Sequence, residues 1–185
     1  MPLVTITLVL ANVLTYLLEL ASGGGAFCET HGLVPDRFMR SGDLGPVLSS
    51  MFLHDPASLW HLGGNMAFLV IFGTLVERSI GSIRFLVVYL AAGVVGGLTH
   101  VLVNPAATDP LVGASGAIFG VMAVAAMVRP RLVGFVASYA AYNLAELLLG
   151  SGGSVSVGCH VGGFVVGVGF VFLARASRSE CLEAA

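Results

Sequence analysis

The sequence predicts an all-α membrane protein, a bundle of six transmembrane helices with a long first loop between spans one and two. Composition is the first reason, because the 185-residue chain is 57% hydrophobic and only 10% charged. Soluble domains carry about 25% charged residues. The second reason is that the apolar residues fall into six segments near the length of about 20 residues that crosses a bilayer. These segments occupy nearly the whole chain, which predicts one integral-membrane domain over residues 1–185.

Glycine, proline and polar residues separate the six segments. The first break begins at Ser22–Gly25 and opens the long loop, and the second is Gly81. The later breaks are turns that contain proline and a Gly/Ser-rich stretch at 150–156. The first segment lacks a basic leader and a small-residue cleavage site, so we expect a retained helix and not a signal peptide. The predicted spans are residues 3–20, 60–79, 83–103, 113–128, 132–149 and 157–174.

Arginine placement predicts the orientation of the bundle. The chain contains arginine but no lysine, and six arginines lie at three places that share one side of a six-span topology: Arg78, Arg84, Arg129, Arg131, Arg175 and Arg178. The positive-inside rule puts this side, with both termini, in the cytoplasm. Spans two, four and six then run from outside to inside. A net charge of −2 argues against a nucleic-acid partner.

Two features of the outer side leave alternatives open. The stretch Pro46–Leu53 in the first loop predicts either a short interfacial helix or a loop packed over the bundle. Cys28 and Cys159 would both face outward, so a disulfide is conceivable, although unpaired small apolar residues are the favoured interpretation. Trp60, at the start of span two, is typical of an interfacial aromatic anchor.

Four polar side chains fall at the outer ends of spans two, four and six: His61, Asn65, Ser115 and His160. Polar groups inside a bilayer are costly and are functional candidates by default. A serine hydroxyl becomes a nucleophile when a neighbouring base takes its proton, and histidine is the usual base. We therefore predict Ser115 as a nucleophile and His160 as its general base.

Small residues allow the two catalytic candidates to meet. Gly116 and Gly120 are four apart on span four, as are Gly163 and Gly167 on span six, and this spacing lets helix backbones approach closely. Phe119 lies one turn after Ser115 and is positioned to stack on the imidazole. The sequence therefore predicts a contact between spans four and six that brings the hydroxyl to the imidazole.

The same region offers donors for the negative charge of a tetrahedral intermediate. The N–H of Ser115 opens a predicted helix and so lacks an intrahelical acceptor. His61 and Asn65 share one face of span two at positions i and i+4. We assign these three groups to an oxyanion hole.

No carboxylate lies near His160 in the sequence, so we predict a Ser–His dyad and not a triad. Glu146, near the outer end of span five, is the alternative orienting group. Alternatively, Glu146 pairs with Asn143 or Tyr142, or only reaches the outer interface.

We expect neither a metal nor another cofactor. His54, Asp55, His61 and His100 all fall on the outer side and form the only metal-site alternative, but such sites need three or four ligands with supporting acids. His54 is more typical of an anchor for the first loop.

These motifs resemble the signature of the rhomboid intramembrane serine proteases. Gly113–Gly120 is similar to the family's nucleophile motif, and His160–Phe164 with Gly167 to its sixth-span histidine motif. Four segments resemble the family's second-span signature: Phe52–His54, Trp60–Met66, Phe72–Gly73 and Leu75–Glu77. The resemblance follows the motifs in order along the whole chain. One departure is the first loop, where Arg37-Phe38 and Met39-Arg40 stand in place of a Trp-Arg pair.

The resemblance implies Ser115 as nucleophile, His160 as base, and His61, Asn65 and the Ser115 amide as oxyanion donors, with Gly113 in a supporting role. It also implies a cavity capped by residues 150–156 and substrate entry beside span five. Substrates would be single-span membrane proteins, cut on the outer side in or near the membrane. With no appended domain or seventh span, a minimal bacterial type in the plasma membrane is expected. The alternatives are an inactive rhomboid-like binding or quality-control protein, and a channel or transporter. The sequence leaves the oligomeric state open.

Overall fold

In the computed structural model the chain folds into ten α-helices within the residues described, which are 2–149 and 157–183. For residues 146, 147 and 177–183 the description covers the backbone alone. The predicted capping stretch 150–156 and the side chain of Glu146 lie outside the described residues. The helices are α1 (Leu3–Ala21), α2 (Gly25–His31), α3 (Pro35–Ser41), α4 (Gly45–Ser49), α5 (Leu59–Phe68), α6 (Thr74–Ile80), α7 (Ser82–Val103), α8 (Ser115–Val128), α9 (Val133–Leu149) and α10 (Val157–Glu183).

Each of the six predicted segments forms a helix, which confirms the all-α fold class. Within the described ranges no strand forms; Leu33 and Leu111 make one isolated antiparallel bridge. A π-helical turn, Leu69–Gly73, joins α5 to α6, so that Leu59–Ile80 forms one continuous span. Among the described residues, four helical segments are long and apolar enough to cross a membrane: Leu3–Ala21, Leu59–Ile80, Ser82–Val103 and Val157–Ala176.

The predicted helix boundaries differ from the structure by more than one residue at two places. The fourth span was predicted to begin at residue 113, but α8 begins at Ser115, because Gly113 has a backbone φ of +124° that a helix cannot contain. The sixth span was predicted to end at residue 174, whereas α10 continues to Glu183. Residues after 174 are polar but favour helix, so the loss of hydropathy marked the end of the apolar segment and not of the helix.

The centre of the bundle is α8, a short helix of 14 residues. At 1.5 Å per residue it is about 21 Å long, shorter than the roughly 30 Å of a bilayer core. All residues from Gly116 to Ala126 are buried. The helices α7 and α10 pack extensively against it and against each other, while α1 and α9 make fewer contacts. The start of α8 therefore lies inside the bundle and not at its surface.

Glycines set the distance between α8 and α10. A Cβ added at Gly120 would lie 2.8 Å from the Gly163 carbonyl oxygen, and one added at Gly167 would lie 2.9 Å from the Gly120 carbonyl carbon. Real Cβ atoms essentially never come within 3.0 Å of such atoms. The two backbones are consequently in direct contact along the predicted small-residue pairs.

A buried carboxylate joins three spans at the end of the bundle opposite Ser115. Glu77 accepts hydrogen bonds from the N–H groups of Val4 and Thr5, at 3.0 and 2.8 Å. It also accepts from the hydroxyls of Thr5 and Ser82, both at 2.7 Å. These donors belong to the first turns of α1 and α7, whose N–H groups have no acceptor within the helix. Glu77 thus fixes the starts of α1 and α7 against α6.

The first loop is a packed layer of three short helices. Arg37 donates to the carbonyls of Glu29, Thr30 and Gly32 at 2.9, 3.3 and 2.9 Å. These groups lie at the C-terminal end of α2, where carbonyls need partners outside the helix. The sequence comparison with a Trp-Arg pair gave no role to this arginine, but its guanidinium holds α2 to α3.

Within the stretch Pro46–Leu53 the structure shows a short helical part and packing over the bundle, while its position at a membrane interface stays a prediction. Only Gly45–Ser49 is helical, and the stretch packs over the bundle through Val47, Met51 and Leu53, which are 1–3% exposed. Leu48 on the other side is 50% exposed.

The two cysteines considered for a disulfide, Cys28 and Cys159, are both buried and are not joined to each other. Their burial agrees with the favoured interpretation of two small apolar residues. Burial raises the pKa of the Cys28 thiol to about 11, with the nearby Glu19 and Asp55 charges acting in the same direction.

Candidate active site

The backbone at the start of α8 is shaped by Gly113 and by a link to the first loop. The Gly113 N–H donates to the Ser50 carbonyl at 2.9 Å, and its positive φ turns the chain into the helix at Ala114. The Ala114 carbonyl accepts the first helical hydrogen bond, from Ile118. Ser115 is therefore the first residue of α8, and its N–H has no acceptor within the helix.

The structure brings Ser115 and His160 together. The distance from Ser115 Oγ to His160 Nε2 is 2.8 Å, within hydrogen-bond range. Ser115 is half-buried and His160 is 4% exposed. Phe119 stacks on the imidazole, with ring centroids 4.2 Å apart and an interplanar angle of 5°. The ring of His160 is thus held between the hydroxyl on its edge and an aromatic face.

The second nitrogen of the same imidazole has a partner that the sequence analysis did not assign. His160 Nδ1 lies 2.6 Å from Asn143 Oδ1, and Asn143 is 3% exposed. Asn143 was considered only as a partner for Glu146, the alternative orienting group. The sequence did contain one indication of this contact, because Asn143 lies toward the same side of the bundle as His160 and Ser115.

His61 presents a fixed donor toward the backbone before Ser115. The Asp55 N–H donates to His61 Nδ1 at 3.2 Å, which makes Nδ1 the acceptor of the neutral ring and leaves the proton on Nε2. A Cβ added at Gly113 would lie 2.9 Å from that Nε2. Ser58 caps the helix and accepts from the His61 N–H at 3.3 Å. The absence of a side chain at Gly113 thus leaves room in front of the His61 donor.

Asn65 completes the group of predicted polar residues. It is 8% exposed, and its Nδ2 donates to the His61 carbonyl at 2.9 Å. The same Nδ2 would lie 3.9 Å from a Cβ at Gly113. An amide nitrogen has two hydrogens, so one remains for another acceptor. The side chains of His61 and Asn65 therefore converge on the space beside Gly113.

A buried histidine lies behind His61. His54 is fully buried, its ring centroid is 5.2 Å from that of His61, and neither of its ring nitrogens has a hydrogen-bond partner among the described residues. Burial, with a smaller effect of the His61 charge, lowers the pKa of His54 to about 4. Its backbone N–H is bound by the Glu19 carboxylate at 3.1 Å. These contacts agree with an anchor for the first loop.

The metal-site alternative finds no support in the part of the chain that the structure describes. No group of three or more histidine, cysteine, aspartate and glutamate side chains is arranged there to hold a metal ion. His54 and His61 are neighbours, but Asp55 meets His61 through its backbone N–H and not through its carboxylate.

The arrangement as a whole contains the groups that acyl transfer requires. It contains a hydroxyl hydrogen-bonded to an imidazole, a helix N-terminus at the same residue, and side-chain donors beside the preceding glycine. A buried base–hydroxyl pair with nearby donors is what nucleophilic attack on a carbonyl requires.

Comparison with known proteins identifies the family. A model of the rhomboid domain matches residues 41–177, which is most of the chain. This chain belongs to the rhomboid family. The rhomboid protease GluP of Bacillus subtilis (strain 168) is 35% identical over 122 residues, covering 64% of this chain and 23% of the relative. Rhomboid protein 1, mitochondrial, of Saccharomyces cerevisiae (strain ATCC 204508 / S288c) is 32% identical over 140 residues, covering 66% and 39%.

The putative rhomboid protease YdcA of B. subtilis (strain 168) is 36% identical over 91 residues, which cover 46% of this chain and 42% of the relative. The chain thus spans less than half the length of each of these relatives. The family resemblance inferred from the motifs is confirmed, and with the apolar helices it makes this chain an integral membrane protein. All four predicted polar residues lie within the matched rhomboid domain.

Proposed function

We propose that this chain is an intramembrane serine endopeptidase that cleaves membrane-anchored proteins in or near their transmembrane segments. The single observation that carries the proposal is the 2.8 Å contact between Ser115 Oγ and His160 Nε2 at the buried start of α8. A bundle needs no such pair for packing, since a buried polar pair in a membrane is costly to keep. The names of two relatives, one called a rhomboid protease and the other a putative rhomboid protease, point the same way.

The proposed reaction begins when His160 Nε2 takes the proton of Ser115 as Oγ bonds to the scissile carbonyl carbon. The tetrahedral intermediate then collapses, the C–N bond breaks, and the imidazolium gives its proton to the leaving amine. Water, activated by the same base, hydrolyses the acyl-enzyme ester and returns the proton to Ser115 Oγ.

Charge develops at two places during this reaction, and each has a stabilising group nearby. The oxyanion is proposed to accept hydrogen bonds from the Ser115 N–H, His61 Nε2–H and Asn65 Nδ2–H; fixed donors of this kind contribute several kcal/mol. The imidazolium of His160 faces Phe119, whose stacked ring attracts a cation through its π-electrons.

The proposed substrate class is single-span membrane proteins, with lipid as the surrounding partner. A peptide bond inside a stable transmembrane helix has its carbonyl engaged in hydrogen bonding, so a segment that unwinds easily is the better substrate. The arginine pattern supports cytoplasmic termini and a site toward the outer leaflet, as in a bacterial plasma membrane. The chain is proposed to act as one domain.

The test is cleavage of a model single-span substrate by the protein purified in detergent. Wild type is expected to cleave, whereas Ser115→Ala and His160→Ala are expected to lose activity by at least about 10³-fold. Ser79→Ala and His31→Ala are matched controls, because both residues are exposed and lie away from the site. Activity that survives in Ser115→Ala would refute the nucleophile assignment. Folded wild type that neither cleaves a substrate panel nor reacts with a fluorophosphonate would favour an inactive binding protein.

A further inference from the structure

The two ring nitrogens of His160 have different partners. The partner of Nδ1 can only accept a hydrogen bond, whereas the partner of Nε2 can donate or accept one. Nε2 faces the Ser115 hydroxyl at 2.8 Å and Nδ1 faces the Asn143 side-chain oxygen at 2.6 Å. We infer that Asn143 is the positioning residue of this site: it fixes the tautomer and the ring orientation of His160, so that Ser115, His160 and Asn143 form one hydrogen-bonded chain. This inference rests on the proposed function.

The direction of the Asn143 amide is determined by its own helix. Its Nδ2 donates to the Tyr139 carbonyl at 2.8 Å, one turn earlier on α9. A carbonyl can only accept, so the amide nitrogen must point toward it and the amide oxygen must point toward His160. Asn143 therefore presents an acceptor to Nδ1, and Nδ1 must carry the proton. The neutral imidazole then has its lone pair on Nε2, facing Ser115.

The other neighbours of the ring do not select a tautomer. The Ser115 hydroxyl is both a donor and an acceptor, so it can bond to a protonated or an unprotonated Nε2 equally well. Phe119 contacts the face of the ring and distinguishes neither nitrogen. Without Asn143, a histidine with its proton on Nε2 would be compatible with the remaining contacts and would be useless as a base. The contribution of Asn143 is therefore specific.

The protonated state gains from the same contact. When Nε2 takes the serine proton, Nδ1–H becomes the donor of a charged ring, and a hydrogen bond from a charged group is stronger than a neutral one. The Asn143 oxygen thus stabilises the imidazolium that forms in the reaction. A neutral amide does this without a buried carboxylate, whose desolvation would be expensive at a site 3% exposed.

The first test compares isosteric variants of Asn143. Asn143→Leu keeps the shape and removes the acceptor, and its kcat is expected to fall at least about tenfold with KM unchanged within about twofold. Asn143→Asp keeps an acceptor toward Nδ1 and is expected to retain at least about ten times the kcat of the leucine variant. Leu144→Ala is the control for changes in α9, since Leu144 is the next residue on this helix and is 45% exposed. Equal kcat in wild type and the leucine variant would overturn the inference.

The second test observes the tautomer directly. Long-range ¹H–¹⁵N NMR of histidine-labelled protein separates protonated from unprotonated ring nitrogens, and the loss of signals in His160→Gln assigns them. Wild type and Ser115→Ala are expected to show a protonated Nδ1, and Asn143→Leu a mixture of tautomers. A protonated Nε2 in the neutral ring of Ser115→Ala would overturn the inference, even if the leucine variant does not fold.

The two readouts separate the inference from the proposed function. Wild type that cleaves no substrate and is not labelled by a fluorophosphonate refutes the protease proposal, while the tautomer measurement still decides the role of Asn143. Conversely, active wild type with an unchanged tautomer in Asn143→Leu leaves the protease proposal intact and removes Asn143 from it.

Discussion

The contact between Gly163 and Gly116 gives the sharpest prediction about this rhomboid domain. A Cβ added at Gly163 would lie 2.8 Å from the Gly116 carbonyl carbon and 3.3 Å from the Ala92 carbonyl oxygen. Ordinary contact begins at 3.4 Å. Because both neighbours are backbone, Gly163→Ala must move α10 away from α8 by at least about 0.6 Å in an interior that has few voids to absorb the shift.

This displacement falls directly on the reacting groups. Ser115 precedes Gly116, and His160 lies one turn before Gly163, so the 2.8 Å contact between Oγ and Nε2 lengthens past the usual hydrogen-bond range. Misplacement on this scale costs about 10²-fold in rate. Overpacking of a tight contact also costs about 1–3 kcal/mol of stability. We therefore expect Gly163→Ala to be folded, less stable and about 10²-fold slower.

The assay is kcat on a single-span substrate, with thermal unfolding in the same detergent. Gly169→Ala is the matched control, because it makes the same chemical change in the same helix where an added Cβ has nothing within 4 Å. It is expected to keep full activity and to gain up to about 1 kcal/mol from the better helix propensity of alanine. If Gly163→Ala matched Gly169→Ala in melting temperature and lay within about threefold in kcat, the close-contact argument would be wrong.

Two further predictions concern the loop side of the site. Gly113→Ala forces an unfavourable φ of +124° on alanine and puts its Cβ 2.9 Å from His61 Nε2. We therefore expect the variant to lose about 1–3 kcal/mol in stability and about 10²-fold in kcat. A variant with wild-type kcat would contradict this account of the donor site. His54, with a pKa of about 4 when folded and 6.5 ordinarily, takes up a proton on unfolding, so stability is lost as pH falls from about 6.5 toward 4. Between pH 7 and 5 wild type should lose about 2 kcal/mol more than His54→Phe in thermal unfolding, and equal losses would show that His54 is not responsible.

The central trio of helices explains why the site can be both buried and ordered. Ser115 begins α8, His160 lies in α10, and α7 closes the third side of the same contact. Because α8 is short, its N-terminus lies inside the bundle, and so does the Ser115 N–H, which has no acceptor within the helix. The catalytic proposal thus depends on helix length as much as on residue identity.

Local patterns in the sequence were sufficient for the fold class, the six helical segments and the family. Hydropathy and the breaks between segments are properties of consecutive residues, and the motifs around Ser115 and His160 needed no tertiary information. The start of α8 was misplaced by two residues, because hydropathy cannot report that Gly113 has a positive φ. The segment after residue 174 was placed outside the sixth span, although helix propensity carries α10 on to Glu183.

Tertiary structure decided which partners those residues have. Asn143 meets the His160 side chain, and Arg37 meets backbone carbonyls at the end of α2. Both contacts depend on how each helix is rotated about its axis and how far it is shifted along it. A sequence shows that Asn143 lies at the correct end of its span but not which face of the helix it occupies relative to α10. Which polar groups lie in the membrane is therefore a matter of sequence, whereas what each of them does follows only from the packing of the helices.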